Sequence, residues 1–149
     1  MMHSQEYAEK LTVLVIEDNL GDFVLVEDYL EEKFKKVEIV HFTDFSHSIE
    51  YLNKNKEEVD VILLDLNLPD LQGIELINSI LDYNFGIPII ILTGYSDLGM
   101  AQKSLQIGVY DYLVKDDLNP AILYKTIVFA INRSGFINLI HFINPLLKH

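Results

Sequence analysis

The 149-residue chain contains no cysteine and few basic residues. Without cysteine, disulfides, zinc–thiolate sites and thiol catalysis are excluded. Eleven lysines and arginines stand against 23 aspartates and glutamates, which gives a formal net charge of −12. Since no lysine or arginine cluster is present either, the chain is a poor candidate for direct binding to nucleic acid or to anionic membranes.

Long apolar runs are also missing. No segment approaches the roughly 20 continuous apolar residues that a membrane span requires. The first ten residues are polar and do not resemble a signal peptide. The five histidines show no spacing typical of metal ligands. These features predict a cytoplasmic protein that does not bind membranes.

Short β-branched runs alternate with longer segments of helical period along the chain. The predicted strands are Leu11–Ile16, Val37–Phe42, Val59–Leu64, Ile89–Leu92 and Val109–Val114. The predicted helices are Asn19–Phe34, Phe45–Asn55, Ile74–Leu81, one that Ser96 or Asp97 caps and that ends at Ile107, and one that Asn119-Pro120 opens. Five β–α units in strict alternation predict a parallel sheet of order 2-1-3-4-5 with helices on both faces, the doubly wound α/β class.

Polar residues follow the apolar runs at four of these strand ends. Glu17 and Asp18 follow the first strand, Asp65 the third, Thr93 the fourth and Lys115 the fifth. In a doubly wound sheet, ligands bind beyond the carboxyl ends of the strands, where the strand order reverses. The sequence therefore predicts that these side chains meet at one edge of the sheet.

Carboxylates brought this close together repel one another unless a cation joins them. An oxygen-only site with open positions suits Mg²⁺, which shares its ligands with phosphate. An aspartate can also attack phosphorus and form an acyl phosphate. Asp65 stands alone and is the better nucleophile, whereas Glu17 and Asp18 are adjacent and are the better metal ligands. Each residue alone has an ordinary structural explanation, but their coincidence at four strand ends favours a phosphoryl site.

The motifs as a set resemble the receiver domain of two-component response regulators, in particular the single-domain, chemotaxis-regulator-like members. The similarity covers about Thr12 to Arg133 and implies the flavodoxin-like fold. The motifs are Glu17-Asp18, Asp65-Leu66-Asn67-Leu68-Pro69 followed by Gly73, Leu92-Thr93-Gly94, and Gly108-Val109-Tyr110-Asp111-Tyr112-Leu113-Val114-Lys115.

The resemblance implies that Asp65 accepts a phosphoryl group from a sensor histidine kinase or a histidine phosphotransfer protein. Asp65 and Asp18 would bind Mg²⁺, with Mn²⁺ as a substitute, and Glu17 would bind it mainly through water. The backbone carbonyl of Asn67 would be a further ligand. Lys115 would pair with Asp65 at rest and with the phosphoryl group afterwards.

The resemblance also assigns roles in switching and in phosphoryl lifetime. Thr93 would move toward the phosphoryl oxygens, and Tyr112 would turn inward behind it. Asn67, Gly94 and Tyr95 would tune the lifetime, and Gly94, being small, would leave room for the phosphate. We hypothesise that Tyr95 partly shields the phosphoryl group from water. The changed surface, formed by the fourth helix, the fifth strand and the fifth helix, would bind a downstream protein.

The sequence departs from the family's pattern after the lysine. Proline usually follows there, often with a cis peptide bond, whereas this chain has Asp116. A cis bond before a residue other than proline costs roughly 2.5–4 kcal/mol. We therefore predict a trans bond between Lys115 and Asp116. Val109 replaces the family's common alanine and would adjust packing only.

The chain is predicted to divide into a polar lead (1–10), the receiver domain (11–133) and an apolar extension (134–149). The extension either continues the fifth helix or folds back onto the domain. Alternatively, it forms a dimer or partner surface or leads into another domain. A homodimer could form through this extension or through the predicted surface of the fourth helix, the fifth strand and the fifth helix.

The function that this sequence predicts is a phosphorelay switch with no external substrate, and therefore not an enzyme in the usual sense. A Mg²⁺-dependent aspartyl-phosphate phosphatase is one alternative, but it would need a general acid where Asn67 stands. A flavin-binding carrier is another, but Glu17 and Asp18 would repel its phosphate. The last is a pseudo-receiver that is never phosphorylated and acts only as an interaction module.

Overall fold

The structure is a computed structural model that describes the backbone of residues 9–143 and the side chains of residues 9–133. Most of the predicted polar lead and the last six residues of the predicted extension lie outside the described residues.

Five strands alternate with five helices along the described chain. The strands are β1 (Leu11–Ile16), β2 (Val37–Phe42), β3 (Val61–Asp65), β4 (Ile89–Thr93) and β5 (Asp111–Val114). The helices are α1 (Leu20–Lys33), α2 (Phe45–Asn55), α3 (Gly73–Asp82), α4 (Leu98–Ile107) and α5 (Pro120–Ile143). Short 3₁₀ turns cover Lys56–Glu58, Tyr95–Asp97 and Lys115–Asp117.

The strands form one parallel sheet in the order β2-β1-β3-β4-β5, which confirms the predicted doubly wound fold. Every residue of β1, β3 and β4 is buried. Continuous apolar runs suit this position because helices cover both faces of these strands. Because all five strands are parallel, their carboxyl ends lie at the same edge of the sheet.

The core has two layers, one on each face of the sheet. Alternate residues of β1 divide between them, because successive side chains of a strand point to opposite faces. Leu14 packs with Leu52 of α2 and Leu76 of α3, whereas Val13 packs in the layer that contains Leu30 of α1 and residues of α5. Helices α2, α3 and α4 therefore cover one face, and α1 and α5 cover the other.

Two strands begin later than predicted. Strand β3 begins at Val61 rather than Val59, because the amide of Val59 donates to the Lys56 carbonyl and closes a 3₁₀ turn (3.3 Å). Strand β5 begins at Asp111 rather than Val109, because the amide of Val109 donates to the Ser104 carbonyl at the end of α4 (3.2 Å). Hydrophobic pattern alone does not distinguish a strand residue from an apolar residue that closes the preceding turn.

Most helix ends follow the predicted capping residues. The side chains of Asn19 and Asn119 accept hydrogen bonds from amides in the first turns of α1 and α5. Asp97 stands at the N-cap of α4, but it makes no side-chain cap bond. The described chain contains no cis peptide bond, which confirms the predicted trans bond between Lys115 and Asp116.

Helix α5 continues to Ile143, so the first ten residues of the predicted extension prolong this helix. Among the described residues, no helix is long and apolar enough to span a lipid bilayer.

Two glycines at opposite ends of α4 provide a paired test of this backbone. Gly108 ends the helix with φ of 129°, a conformation that side chains disfavour, whereas Gly99 lies within the first turn in open space. We expect Gly108→Ala to lower the free energy of unfolding by about 1 kcal/mol or more. Gly99→Ala should raise it by about 0.5 kcal/mol, since alanine favours helix. Urea unfolding of both variants measures these changes, and equal effects would contradict the argument.

Candidate metal and phosphoryl site

The predicted site residues do converge at the carboxyl edge of the sheet. Asp65 is the last residue of β3 and pairs with Leu92 of β4, and Thr93 ends β4. Glu17 follows β1 directly, where its amide donates to the carbonyl of Phe42 (3.0 Å). The edge is therefore built by strand register, so rigid elements rather than long loops position its side chains.

Three carboxylates form the acidic part of the site. Glu17, Asp18 and Asp65 each offer an oxygen, and these oxygens all lie within 4.8 Å of one another. Glu17 is fully buried and Asp65 is 6% exposed, whereas Asp18 is open to solvent. One side of the cluster is thus enclosed by protein and the other is accessible from solution.

Lys115 supplies the positive charge that this cluster needs. Its Nζ lies 2.8 Å from Oε1 of Glu17, 2.9 Å from Oδ2 of Asp22 and 3.3 Å from Oδ1 of Asp65. The predicted pairing of Lys115 with Asp65 is present, but it is the longest of the three contacts. In this state the ammonium group lies toward β1 and α1.

Burial changes the acid–base properties of all three central groups. It raises the pKa of Glu17 to about 7, and repulsion from Asp65 adds to the effect, while Lys115 opposes it. The pKa of Asp65 is likewise raised by burial against the attraction of Lys115. Burial disfavours the charge of Lys115, but its contacts with the carboxylates of Glu17, Asp22 and Asp65 raise its pKa above the ordinary value. The two buried carboxylates, those of Glu17 and Asp65, are thus less acidic than usual, because Lys115 does not fully offset the cost of burying their negative charge.

The predicted switch residues border this cluster. Thr93 is buried, and its hydroxyl donates to the carbonyl of Gly94 (3.1 Å). A Cβ at Gly94 would meet nothing within 4 Å, so there is open space beside this residue. Tyr112 is half-buried and packs against the core layer that α2, α3 and α4 cover.

Two side-chain hydrogen bonds join the loops around the site. Asn67, in the loop after β3, donates from Nδ2 to the carboxylate of Asp97 before α4 (2.9 Å). The hydroxyl of Tyr95 donates to Asp117, in the turn that begins with Lys115 (2.6 Å). Tyr95 is 56% exposed, so it bridges the loops at the surface. These bonds connect the β3, β4 and β5 ends of the site.

The loop that carries Asn67 is also fixed from its other side. Leu66 and Leu68 are buried, and the carbonyl of Leu66 accepts from the amide of Gly73 (2.9 Å). Asp70 accepts hydrogen bonds from two amides at the start of α2, those of Phe45 (2.9 Å) and Ser46 (3.0 Å). The segment after Asp65 is therefore held against both the core and α2.

Sequence reasoning missed two residues of this site. Asp22 contacts Lys115 from the first turn of α1, but in the sequence it appears as one more helix acid. His41 of β2 donates from Nε2 to the carbonyl of Glu17 (2.8 Å) and stacks on Phe23 at a ring distance of 3.7 Å. Neither residue follows a strand end, so no local pattern indicated its role.

The donor set fits Mg²⁺. All three side chains offer oxygen, they are close enough to share one ion, and their repulsion is only partly relieved by Lys115. Hard oxygen ligands with an open side are the surroundings that Mg²⁺ accepts while it keeps several waters. The position of the Asn67 carbonyl as a further ligand stays a prediction.

Comparison with known proteins identifies the family. Residues 13–127 match the response regulator receiver domain. The chain belongs to this family, whose members are switches in two-component signalling.

The matched relatives and structures agree with this assignment. The chain is 29% identical over 108 residues to the transcriptional regulatory protein ZraR of Klebsiella oxytoca, covering 72% of this chain and 23% of ZraR. It is 35% identical over 106 residues to the cell cycle transcriptional regulator CtrA of Caulobacter vibrioides, covering 70% of this chain and 44% of CtrA. The chain thus spans less than half the length of these two relatives.

Solved receiver domains share the fold. A receiver domain protein from Clostridium thermocellum superposes with a TM-score of 0.75 at 26% identity, covering 85% of this chain and 98% of that one. A CheY-like receiver domain protein from Methanospirillum hungatei gives a TM-score of 0.68 at 25% identity, with 85% and 98% covered.

The raised pKa of Glu17 predicts a pH dependence of stability. Glutamate in an unfolded chain titrates near 4.5, and in the fold Glu17 titrates near 7. The fold therefore binds this proton more tightly, so its contribution is full below about pH 4.5 and is lost as the pH rises through about 7. Without divalent cations, we expect Glu17→Gln to stabilise the protein at about pH 8 and to have little effect at about pH 5.

Denaturant unfolding at the two pH values measures this difference, with the exposed Asp18→Asn as control. Saturating Mg²⁺ should remove the advantage of Glu17→Gln, because the ion stabilises the wild-type carboxylates. A Glu17→Gln variant that is less stable than wild type at both pH values would contradict the prediction.

Proposed function

We propose that this chain is a phosphoacceptor switch in which Asp65 receives a phosphoryl group from the phosphohistidine of a histidine kinase or phosphotransfer protein. The observation that supports this most directly is the cluster at the sheet edge. It combines a solvent-accessible face, two buried carboxylates and an ammonium group that contacts both. The complete set of acids, Thr93 and Lys115 also favours a phosphorylated receiver over an unphosphorylated interaction module.

In the proposed transfer, a carboxylate oxygen of Asp65 attacks the phosphorus atom of phosphohistidine. The new P–O bond forms as the P–N bond breaks, and the electron pair of the P–N bond returns to the imidazole nitrogen. Mg²⁺ bound by Glu17, Asp18 and Asp65 would neutralise charge on the phosphoryl oxygens. Lys115 is already within reach and would donate to one of these oxygens. Later attack by water on phosphorus would break the P–O bond to Asp65, release inorganic phosphate and regenerate the carboxylate.

In this proposal Thr93 reports the change to the surface. Within the described residues its hydroxyl donates to the neighbouring carbonyl of Gly94, and it would exchange this partner for a phosphoryl oxygen at little cost. Movement of the β4 end would free space beside Tyr112 and alter the surface of α4, β5 and α5. This surface already exposes Leu105 (41%) and Ile122 (40%) around a shallow groove, which is suited to binding a downstream protein or a second copy of the chain.

One prediction of this proposal concerns the phosphoacceptor. Incubation with Mg²⁺ and acetyl phosphate should add the mass of one phosphoryl group to the wild type and none to Asp65→Asn. The matched control is Asp60→Asn, since Asp60 lies just before β3 at the opposite end of that strand. Intact-protein mass spectrometry measures the change. A wild type that gains no mass would favour the unphosphorylated interaction module.

Another prediction of this proposal concerns the phosphoryl lifetime. We expect Tyr95→Ala to accelerate dephosphorylation by roughly fivefold or more, because water would reach the phosphoryl group more easily and the bond to Asp117 would be lost. Tyr95→Phe keeps the ring but not the bond, and it should give an intermediate rate. Decay of the phosphorylated mass after removal of acetyl phosphate measures both. Equal rates in all three proteins would refute the shielding role.

A further inference from the structure

We infer that Asp22 is a positioning residue that draws Lys115 away from Asp65 and so weakens the binding of a phosphoryl group at this site. The inference rests on the proposed phosphoacceptor function and adds a regulatory residue to it. Asp22 belongs to α1 and lies outside the strand ends that carry the other site residues.

The distances show how Lys115 divides its contacts among three carboxylates. Its ammonium group donates hydrogen bonds to Asp22 (2.9 Å) and Asp65 (3.3 Å), and it forms an ion pair with Glu17 (2.8 Å). The hydrogen bond to Asp22 is thus the shorter of the two, and the contact with Asp65 is the longest of the three. Asp22 thus competes for the same donor group that the phosphoryl group on Asp65 would need.

The local structure places Asp22 for this contact. The backbone amide of Asn19 donates to Oε2 of Glu17 (3.1 Å), and the side chain of Asn19 accepts from the amide of Asp22 (2.9 Å). Because Asn19 caps α1, the carboxylate of Asp22 is not needed for capping. Within the described part of the chain, this carboxylate accepts a hydrogen bond from Lys115.

Charge determines the direction of the effect. Asp22 draws the Lys115 ammonium group toward α1. Without Asp22 this positive charge would lie closer to Asp65, where it would stabilise a phosphoryl group and repel a divalent cation. Because the Asp22 side chain is 42% exposed, solvent screens its charge and limits the effect to a modest factor.

The experiment compares Asp22→Asn with wild type in two binding measurements by calorimetry. Beryllofluoride, at saturating Mg²⁺, represents the phosphoryl group, and Mg²⁺ alone represents the cation. We expect Asp22→Asn to bind beryllofluoride about twofold to fivefold more tightly and Mg²⁺ more weakly by a similar factor. A residue with only a structural role would weaken both when removed.

Glu31→Gln is the matched control, since it removes one exposed negative charge from the same helix away from the site. A second comparison repeats Asp22→Asn in a Lys115→Met background with Mg²⁺ alone. There Asp22→Asn should weaken Mg²⁺ binding no more than Glu31→Gln does, because no lysine remains to be repositioned.

Three results would overturn the inference: an Asp22→Asn variant that behaves like Glu31→Gln, weakening of both ligands together, or an effect that persists without Lys115. Failure of the wild type to bind beryllofluoride would count against the proposed function instead. In that case the Mg²⁺ measurements still decide whether Asp22 controls Lys115.

Discussion

The site depends on one electrostatic constraint, namely that the ammonium group of Lys115 must serve three carboxylates at once. Glu17 and Asp65 are buried, and buried carboxylates without a positive partner are costly. Lys115 relieves this cost only in part, so the pKa of Glu17 remains raised to about 7. The site is thus held in a state that a divalent cation or a proton would stabilise.

This constraint explains why the site is suited to switching. An ammonium group with three acidic neighbours can exchange one partner for another without becoming unpaired. The loops around it are joined by the Asn67–Asp97 and Tyr95–Asp117 hydrogen bonds, and the loop after β3 is held on α2 by Asp70. A local change of charge at Asp65 can therefore reach three loops and the helices that follow them.

The predicted features that were confirmed share a short-range physical cause. Continuous apolar runs require burial on both faces, and strict alternation with amphipathic segments leads to a doubly wound parallel sheet. Strand register then brings Glu17, Asp65 and Thr93 to one edge. The two wrong strand starts, at Val59 and Val109, occurred where an apolar residue closes a turn, since hydrophobicity is the same in both settings.

The sequence by itself determined the fold class and the kinds of group at the sheet edge, because both follow from periodicity along the chain. Only the tertiary structure decided how Lys115 is shared. Asp22 reaches it across 93 positions of sequence, and His41 supports the Glu17 backbone from β2. Such contacts depend on how α1 and β2 pack beside β1. No local sequence pattern predicts that packing, because an acidic residue in the first turn of a helix looks the same in the sequence whether or not it contacts a distant lysine.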